Sequence, residues 1–234
     1  MHRLISDWTL GAESTIDELF SQRKLIPTGI ASLDDALNGG LPVGKLVEIY
    51  PQRAGRGEVS MLLGALRHFQ RVCWVLNCSD PMLPYQQGLQ AAGLDMSRQL
   101  FLAPAAPREA FWCVEQALLA GEHDAIVAWL PPLSSKEDYH AMARLQLAAS
   151  HGHTTLFVIR PFVMSGVSSP AFMRIQLYVE PDPTLVRARI LTDNYIWSRP
   201  AEARFPVNFE RVLPSSAATA EAARKSAGYA KAVA

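Results

Sequence analysis

The sequence predicts an α/β fold: a mainly parallel twisted sheet, helices on both of its faces, and an antiparallel hairpin near the C-terminal end. Three observations predict it. Short, near-continuous apolar runs recur at "KLVEIY" (45–50), "RVCWVLN" (71–77), "QLFLAP" (99–104), "DAIVAWL" (124–130) and "TTLFVIR" (154–160). Strands of that composition are buried on both faces, as in a parallel sheet between two helix layers. Helical segments are predicted between them at 57–70, 84–92, 107–120 and 136–150. After Pro161 the helices stop; "MRIQLYVE" (173–180) and "LVRARILT" (185–192) alternate apolar and polar residues around "PDPT", the pattern of a hairpin.

Each element has a local reason. In residues 1–24, Ser14 and Asp17 stand in capping-box spacing before "DELFSQ", which predicts an N-terminal helical segment. "IPTGIASLDDALNGGLPVGK" reads as turn, short helix, Gly-Gly stop and turn; Ser32 and Asp35 repeat the capping-box spacing, and Leu33 and Leu37 share a face. Over 107–120, Ala110, Phe111, Val114 and Leu118 form an ordinary core stripe, with Glu109 and Glu115 on the solvated side. His151-Gly152-His153 reads as the turn from helix to strand. The main domain is placed at 25–213, and the Ala/Ser-rich tail 214–234 is expected to be disordered on its own.

Composition removes several function classes. The 234 residues are 49% hydrophobic, and 22 Lys plus Arg balance 22 Asp plus Glu, so there is no basic excess of the kind that duplex DNA attracts. No apolar run approaches the roughly 18 residues that span a bilayer, and the N-terminus lacks a signal-peptide pattern, so a cytoplasmic protein is expected. Cys73, Cys78 and Cys113 have no C-x-x-C spacing and read as reduced, mostly buried thiols; the six histidines form no H-E-x-x-H pattern, so no metal or cofactor is expected. A G-x-S-x-G elbow is absent as well, which disfavours hydrolase chemistry.

Strand 45–50 and helix 57–70 flank a glycine-rich turn, "PQRAGRGEVS", the place of a phosphate loop. A P-loop reads G-x-x-x-x-G-K-[ST]: backbone N–H groups cradle phosphates, the lysine reaches the β/γ oxygens and the hydroxyl holds magnesium. Here the turn offers Gly55, Arg56, Gly57, Glu58 and Val59. The loop is degenerate.

The lead-in "IPTGIASLDDALNGGLPVGKLVEIY" resembles the segment before the ATP-binding loop of RecA, with its T-G-x-x-x-L-D motif, Gly-Gly turn and "E-I-Y" strand, and similarity extends over about residues 26–200. The resemblance implies a RecA-like P-loop NTPase core. It also shows what is missing. The P-loop lysine matches Gly57 or, with a one-residue shift, Glu58; the magnesium-binding hydroxyl matches Glu58 or Val59. The water-activating glutamate matches Ser79, the magnesium-site aspartate Trp129, and the γ-phosphate-sensing glutamine Pro161. Phosphoryl transfer depends on those charges, so no enzyme activity is expected. The two DNA-binding loops correspond to "PPLSSKED" and to "PFVMSGVSSPAF" (161–172), the latter without Lys or Arg.

The degenerate loop ending in Gly-Glu, "PYQQGLQAAGLD", "REAFWCVEQALLAG", "AIVAWLP" and "FVIRPF…SSPAFMRIQL" together resemble the ImuA family, RecA-related accessory proteins of the SOS mutagenesis cassette. The middle section also resembles SulA, the cell-division inhibitor that binds FtsZ. The ImuA resemblance implies a non-catalytic role in translesion DNA synthesis. Its implied partners are the Y-family polymerase-like protein ImuB, an error-prone replicative-type DNA polymerase, and RecA.

Some residues keep two readings. Arg53 and Arg56 suit a phosphate or acidic partner, or simple solubility; Trp129 fills the former nucleotide space as core or forms a partner surface; Arg160-Pro161 is a structural turn or a contact. "DNYIWSRPAEARFPVNF" (193–209) interleaves Tyr195 and Trp197 with Arg199 and Arg204, which suits a protein hot spot or single-stranded nucleic acid. A final strand packed on the sheet explains it equally well.

Overall fold

In a computed structural model of the chain, residues 24–76, 84–193 and 201–206 are described. The expectations for the N-terminal segment, Cys78, Ser79, Tyr195, Trp197, Arg199 and the C-terminal tail lie outside them.

The lead-in forms a two-residue ladder, β1 (Leu25–Ile26) against β2 (Leu41–Pro42), around helix α1 (Ala31–Ala36). β3 (Leu46–Pro51) enters the main sheet, and after the glycine turn come α2 (Ser60–Leu66) and β4 (Val72–Val75). Next are α3 (Gln86–Ala91), β5 (Gln99–Leu102), α4 (Pro107–Ala120), β6 (Ala125–Trp129), α5 (Ser135–Gly152) and β7 (Thr155–Ile159). A 3-10 turn (Phe162–Gly166) leads into β8 (Met173–Val179), β9 (Leu185–Asp193) and β10 (Glu202–Pro206). The sheet order is β10-β9-β8-β3-β7-β6-β4-β5. From β8 to β5 all pairings are parallel, whereas β9 and β10 are antiparallel additions.

Alternation along each parallel strand feeds two cores. Val47, Ile49, Trp74, Val127 and Phe157 pack with Leu33 of α1, Leu62 of α2 and Leu89 of α3. Leu46, Cys73, Val75, Ile126 and Val158 pack with Phe111 and Val114 of α4 and Met142 and Leu145 of α5. Burial pushes the Cys73 thiol up to about 12, with Cys113 adding to the effect, so Cys73 is a protonated core residue. The second core ends at β3. Inward residues of β8, β9 and β10 such as Ile175, Ala188 and Phe205 belong to the first core, and the 3-10 turn lies against the other side of β8, where it is held by Arg174. The hairpin is therefore helix-covered on one face, not both.

Three local expectations need correction. The helix placed at 57–70 is only Ser60–Leu66, because Gly55 (φ 73°) and Gly57 (φ 102°) hold left-handed conformations that extend the turn. α1 begins after Ile30, which supplies no side-chain cap, so Ser32 lies inside the helix and its hydroxyl donates to the Arg204 carbonyl (2.8 Å). The capping work falls instead to Asp34. Its carboxylate accepts from the Thr28 N–H (2.7 Å), the Thr28 hydroxyl (2.7 Å) and the Gly29 N–H (3.0 Å), which gives the Thr-Gly…Leu-Asp motif a structural purpose. Finally, α5 runs to Gly152 and stops at His153 in the left-handed region (φ 53°), two residues past the expected end.

That lead-in turn rests directly on α2. A Cβ at Gly64 would stand 1.7 Å from the Thr28 carbonyl oxygen, so only glycine lets the helix and turn backbones meet. Gly64→Ala is expected to destabilise the fold by about 1–3 kcal/mol through overpacking. Urea denaturation checks this, with Gly166→Ala, where nothing lies within 4 Å, as the neutral control.

Candidate functional site

The carboxyl ends of β3, β6 and β7 surround a cleft of about 460 Å³, lined by Gln52, Glu58, Trp129, Leu130, Arg160 and Phe162 among others. Open parallel sheets hold ligands at this end. Of the positions singled out from the sequence, Glu58, Trp129, Arg160 and Pro161 meet here. Gly55 and Gly57 border an adjoining apolar pocket of about 200 Å³ with Val59, Leu63, Tyr85 and Leu89, and Glu58 and Trp129 line both. Arg204 is not brought to the cleft; it sits on edge strand β10.

Two backbone N–H groups of the glycine turn point to one side chain of the chain itself. Glu58 is buried, and its two carboxylate oxygens accept from the Gly55 N–H (2.6 Å) and the Arg56 N–H (2.8 Å). An internal anion thus takes the donors that a phosphate would use. The Arg53 and Arg56 side chains are exposed, form no ion pair among the described residues and do not line either pocket. No lysine lines either pocket.

Trp129 is half-buried and belongs to the core as well as to the cleft. Its ring stacks on Trp74 (6.4 Å between centroids, 25°), and Trp74 stacks on Phe101 (5.9 Å, 10°). An aromatic column therefore fills the β6 end, where the RecA resemblance places a magnesium-binding carboxylate.

Beneath the cleft lies a buried ion cluster that sequence reasoning missed. Arg160, 3% exposed, makes a bidentate pair with Asp138 of α5 (2.8 and 2.5 Å) and reaches Glu48 of β3 (3.4 Å). Tyr50 donates its phenol proton to Glu48 (2.7 Å), and Arg174 of β8 donates to the Tyr50 oxygen (2.9 Å). Burial, then the Glu48 charge, raises the Tyr50 phenol far above its ordinary range, so it stays a donor. Burial alone would lower Arg160, but the hydrogen bonds and charge of Asp138, with Glu48, hold it above its usual value and always charged. Two cations meet two carboxylates. The available signal was a Glu inside the apolar run "KLVEIY" and an Arg ending "TTLFVIR", since buried charges come in pairs.

The same cluster fastens the loops. Asp138 accepts from the Leu133 N–H (3.0 Å), closing the β6–α5 connection. Arg174 donates to the carbonyls of Met164, Ser165 and Val167 (3.3, 3.1 and 2.8 Å), pinning the β7–β8 connection to the sheet. Where RecA resemblance places two DNA-binding loops, this chain has one short link and one tethered turn.

The open face of β8–β10 carries Tyr178, Arg187, Arg189, Glu202 and Arg204. Arg187 lies over the Tyr178 ring (4.7 Å) and pairs with Glu180 (2.9 Å), which also faces Arg204 (3.6 Å). Residues 202–206 are thus a final strand of the sheet, and their arginine is engaged with an acid.

Among the described residues no group of three His, Cys, Asp or Glu is arranged to hold a metal ion, and no helix is long and apolar enough to cross a membrane.

Comparison with known proteins finds similarity to two kinds. The family described as "Cell division inhibitor SulA" matches residues 59–156. SulA of Yersinia enterocolitica is 36% identical over 88 residues, 38% of this chain and 50% of that protein. SulA of Edwardsiella piscicida is 31% identical with the same coverage. Protein RecA of Mycoplasma genitalium is 30% identical over 112 residues, 46% of this chain and 32% of that protein. The chain spans about half the length of these SulA relatives and about a third of that RecA. The SulA match begins just after Glu58 and ends inside β7, so it includes Asp138 but not Glu48, Glu58, Arg160 or Arg174.

Substitutions at two positions test the site. Arg160→Leu strands the buried Asp138 carboxylate, takes one cation from Glu48 and is expected to cost about 3–5 kcal/mol; Arg160→Lys, without the bidentate fork, falls between it and the parent in urea denaturation. Glu58→Ala leaves two turn N–H groups without an acceptor and is expected to cost about 1–3 kcal/mol. In a thermal melt Glu58→Gln, which keeps one carbonyl acceptor, lies between the two.

Proposed function

We propose that this chain is a non-catalytic, RecA-like accessory protein that works by protein–protein contacts in the SOS response, in the cytoplasm, as part of a translesion DNA synthesis complex. The observation that carries the non-catalytic part is the Glu58 carboxylate seated on the Gly55 and Arg56 N–H groups. Two donors of the turn are taken by Glu58, and the cleft's arginine, Arg160, is already held by buried carboxylates, which supports a cleft that does not stabilise the charge of phosphoryl transfer. Similarity to both RecA and SulA supports an SOS role. The resemblance of the lead-in and of the stretches around the loop to the ImuA family supports the choice of complex. ImuB, an error-prone replicative-type polymerase and RecA are its partners in this reading.

A second reading has a specific observation in its favour. The SulA match covers the chain from α2 into β7, which supports a division inhibitor acting on FtsZ. The two readings share a fold without catalysis and differ in the partner.

A tagged full-length chain recovered from DNA-damaged cells is expected to bring down a Y-family polymerase-like protein; recovery of FtsZ alone, with filamentation on overexpression, rejects the translesion reading. Calorimetry with ATP and magnesium is expected to give no heat. Micromolar binding abolished by Gly57→Ala would overturn the non-catalytic reading.

A further inference from the structure

The α4/α5 layer carries a groove that none of the chemistry above uses. Its volume is about 640 Å³; Phe111 and Ala141 form the floor, and Trp112, Leu133, His140 and Arg144 line its walls. Two ion pairs span it, Arg108 to Glu137 (2.7 Å) and Arg144 to Glu115 (3.2 Å). Each joins residues 29 apart, so the helices run parallel in fixed register. The pairs sit seven residues apart, ~10 Å along the helices. Leu119 and Leu147 carry the apolar surface one turn further, to ~16 Å, the length of a three-turn helix.

The apolar side chains are left open to solvent. Trp112 is 58% exposed, Leu119 68% and Leu147 57%. Large aromatics exposed beside a groove are the usual anchors of a protein interface. Charge selects the partner. Both groove acids are consumed by the groove arginines, and in each pair the guanidinium is the more exposed group: side chains of Arg108 and Glu137 are 79% and 50% exposed, those of Arg144 and Glu115 62% and 29%. Lys136, also on the rim, forms no ion pair among the described residues. An apolar slot with a cationic rim complements one kind of segment.

We infer that the α4/α5 groove docks an acidic amphipathic helix of a partner protein, which seats apolar side chains against Trp112 and Leu119 and presents carboxylates to Arg108, Lys136 and Arg144. This inference deepens the adaptor reading and rests on it, naming the chemistry of one partner. The whole groove lies within the stretch that SulA shares, so it does not depend on which of the two partner sets is correct.

The test is selection of phage-displayed random 16-residue peptides on the full chain, followed by anisotropy titration of the enriched peptides. Acidic sequences with apolar residues at i, i+3/i+4 and i+7 are expected. Their affinity should fall at least tenfold for Trp112→Ala and for the charge reversal Lys136→Glu with Arg108→Glu, both on the surface and checked for an unchanged melt. Enrichment of basic or patternless sequences, no enrichment, or peptides indifferent to Trp112→Ala overturns the inference. Self-association of the chain lost on Trp112→Ala also overturns it, because the groove would then belong to a second copy. Failure of the adaptor reading shows separately, as absence of polymerase and FtsZ from the cellular pull-down while peptides still bind.

Discussion

Arg160 directly follows β7 with its guanidinium enclosed between carboxylates from β3 and α5, and the neighbouring elements are arranged around the need to keep that charge paired. A buried ion is costly to desolvate, and each carboxylate here would be as costly without its cation. The bidentate geometry with Asp138 fixes where α5 starts over the sheet, since the same carboxylate also accepts from the Leu133 N–H. Glu48, held by Tyr50 and Arg160, ties the central strand to the same point. Through Tyr50 the constraint passes to Arg174 and so to the turn after β7. Four elements are thus registered at the mouth of the cleft by a cluster with no net charge.

A second internal pairing governs the glycine turn. A phosphate loop without a ligand presents several N–H groups to solvent, and their acceptor normally arrives with the nucleotide. In this chain the acceptor is built in, because Glu58 folds back onto the N–H groups of Gly55 and Arg56. The turn is then complete as it stands. The aromatic column through Trp129, Trp74 and Phe101 fills the β6 end by packing. Both features are satisfied within the chain, while the α4/α5 layer keeps large apolar residues exposed.

Secondary structure was legible where patterning was strong. The helix 107–120 was placed to the residue, since Pro107 opens it and Gly121 (φ 65°) closes it. The parallel strands were legible from their apolar runs, and so was the hairpin from its alternation. The start of α2 was not, because helical spacing in "EVSMLLGAL" says nothing of how far a glycine turn extends. β10 was open among three readings, as its pairing with β9 is a contact with distant residues. Ser32 and Asp35 shared a capping spacing with Asp34 one residue away, and only the approach of Thr28 decided which carboxylate caps.

By itself the sequence determined the α/β class, the order of elements and the absence of a Gly-Lys-Ser/Thr run from the glycine turn, because residue identity and periodicity are local properties. Tertiary structure alone decided what stands in its place: that Glu58 occupies the loop rather than merely repelling a ligand, and that Glu48, Asp138 and Arg160 form one cluster. Those residues are separated by up to 112 positions. Electrostatic pairing depends on distance in space and on exclusion of water, and neither is written in a one-dimensional pattern until the sheet has brought β3, β7 and α5 together.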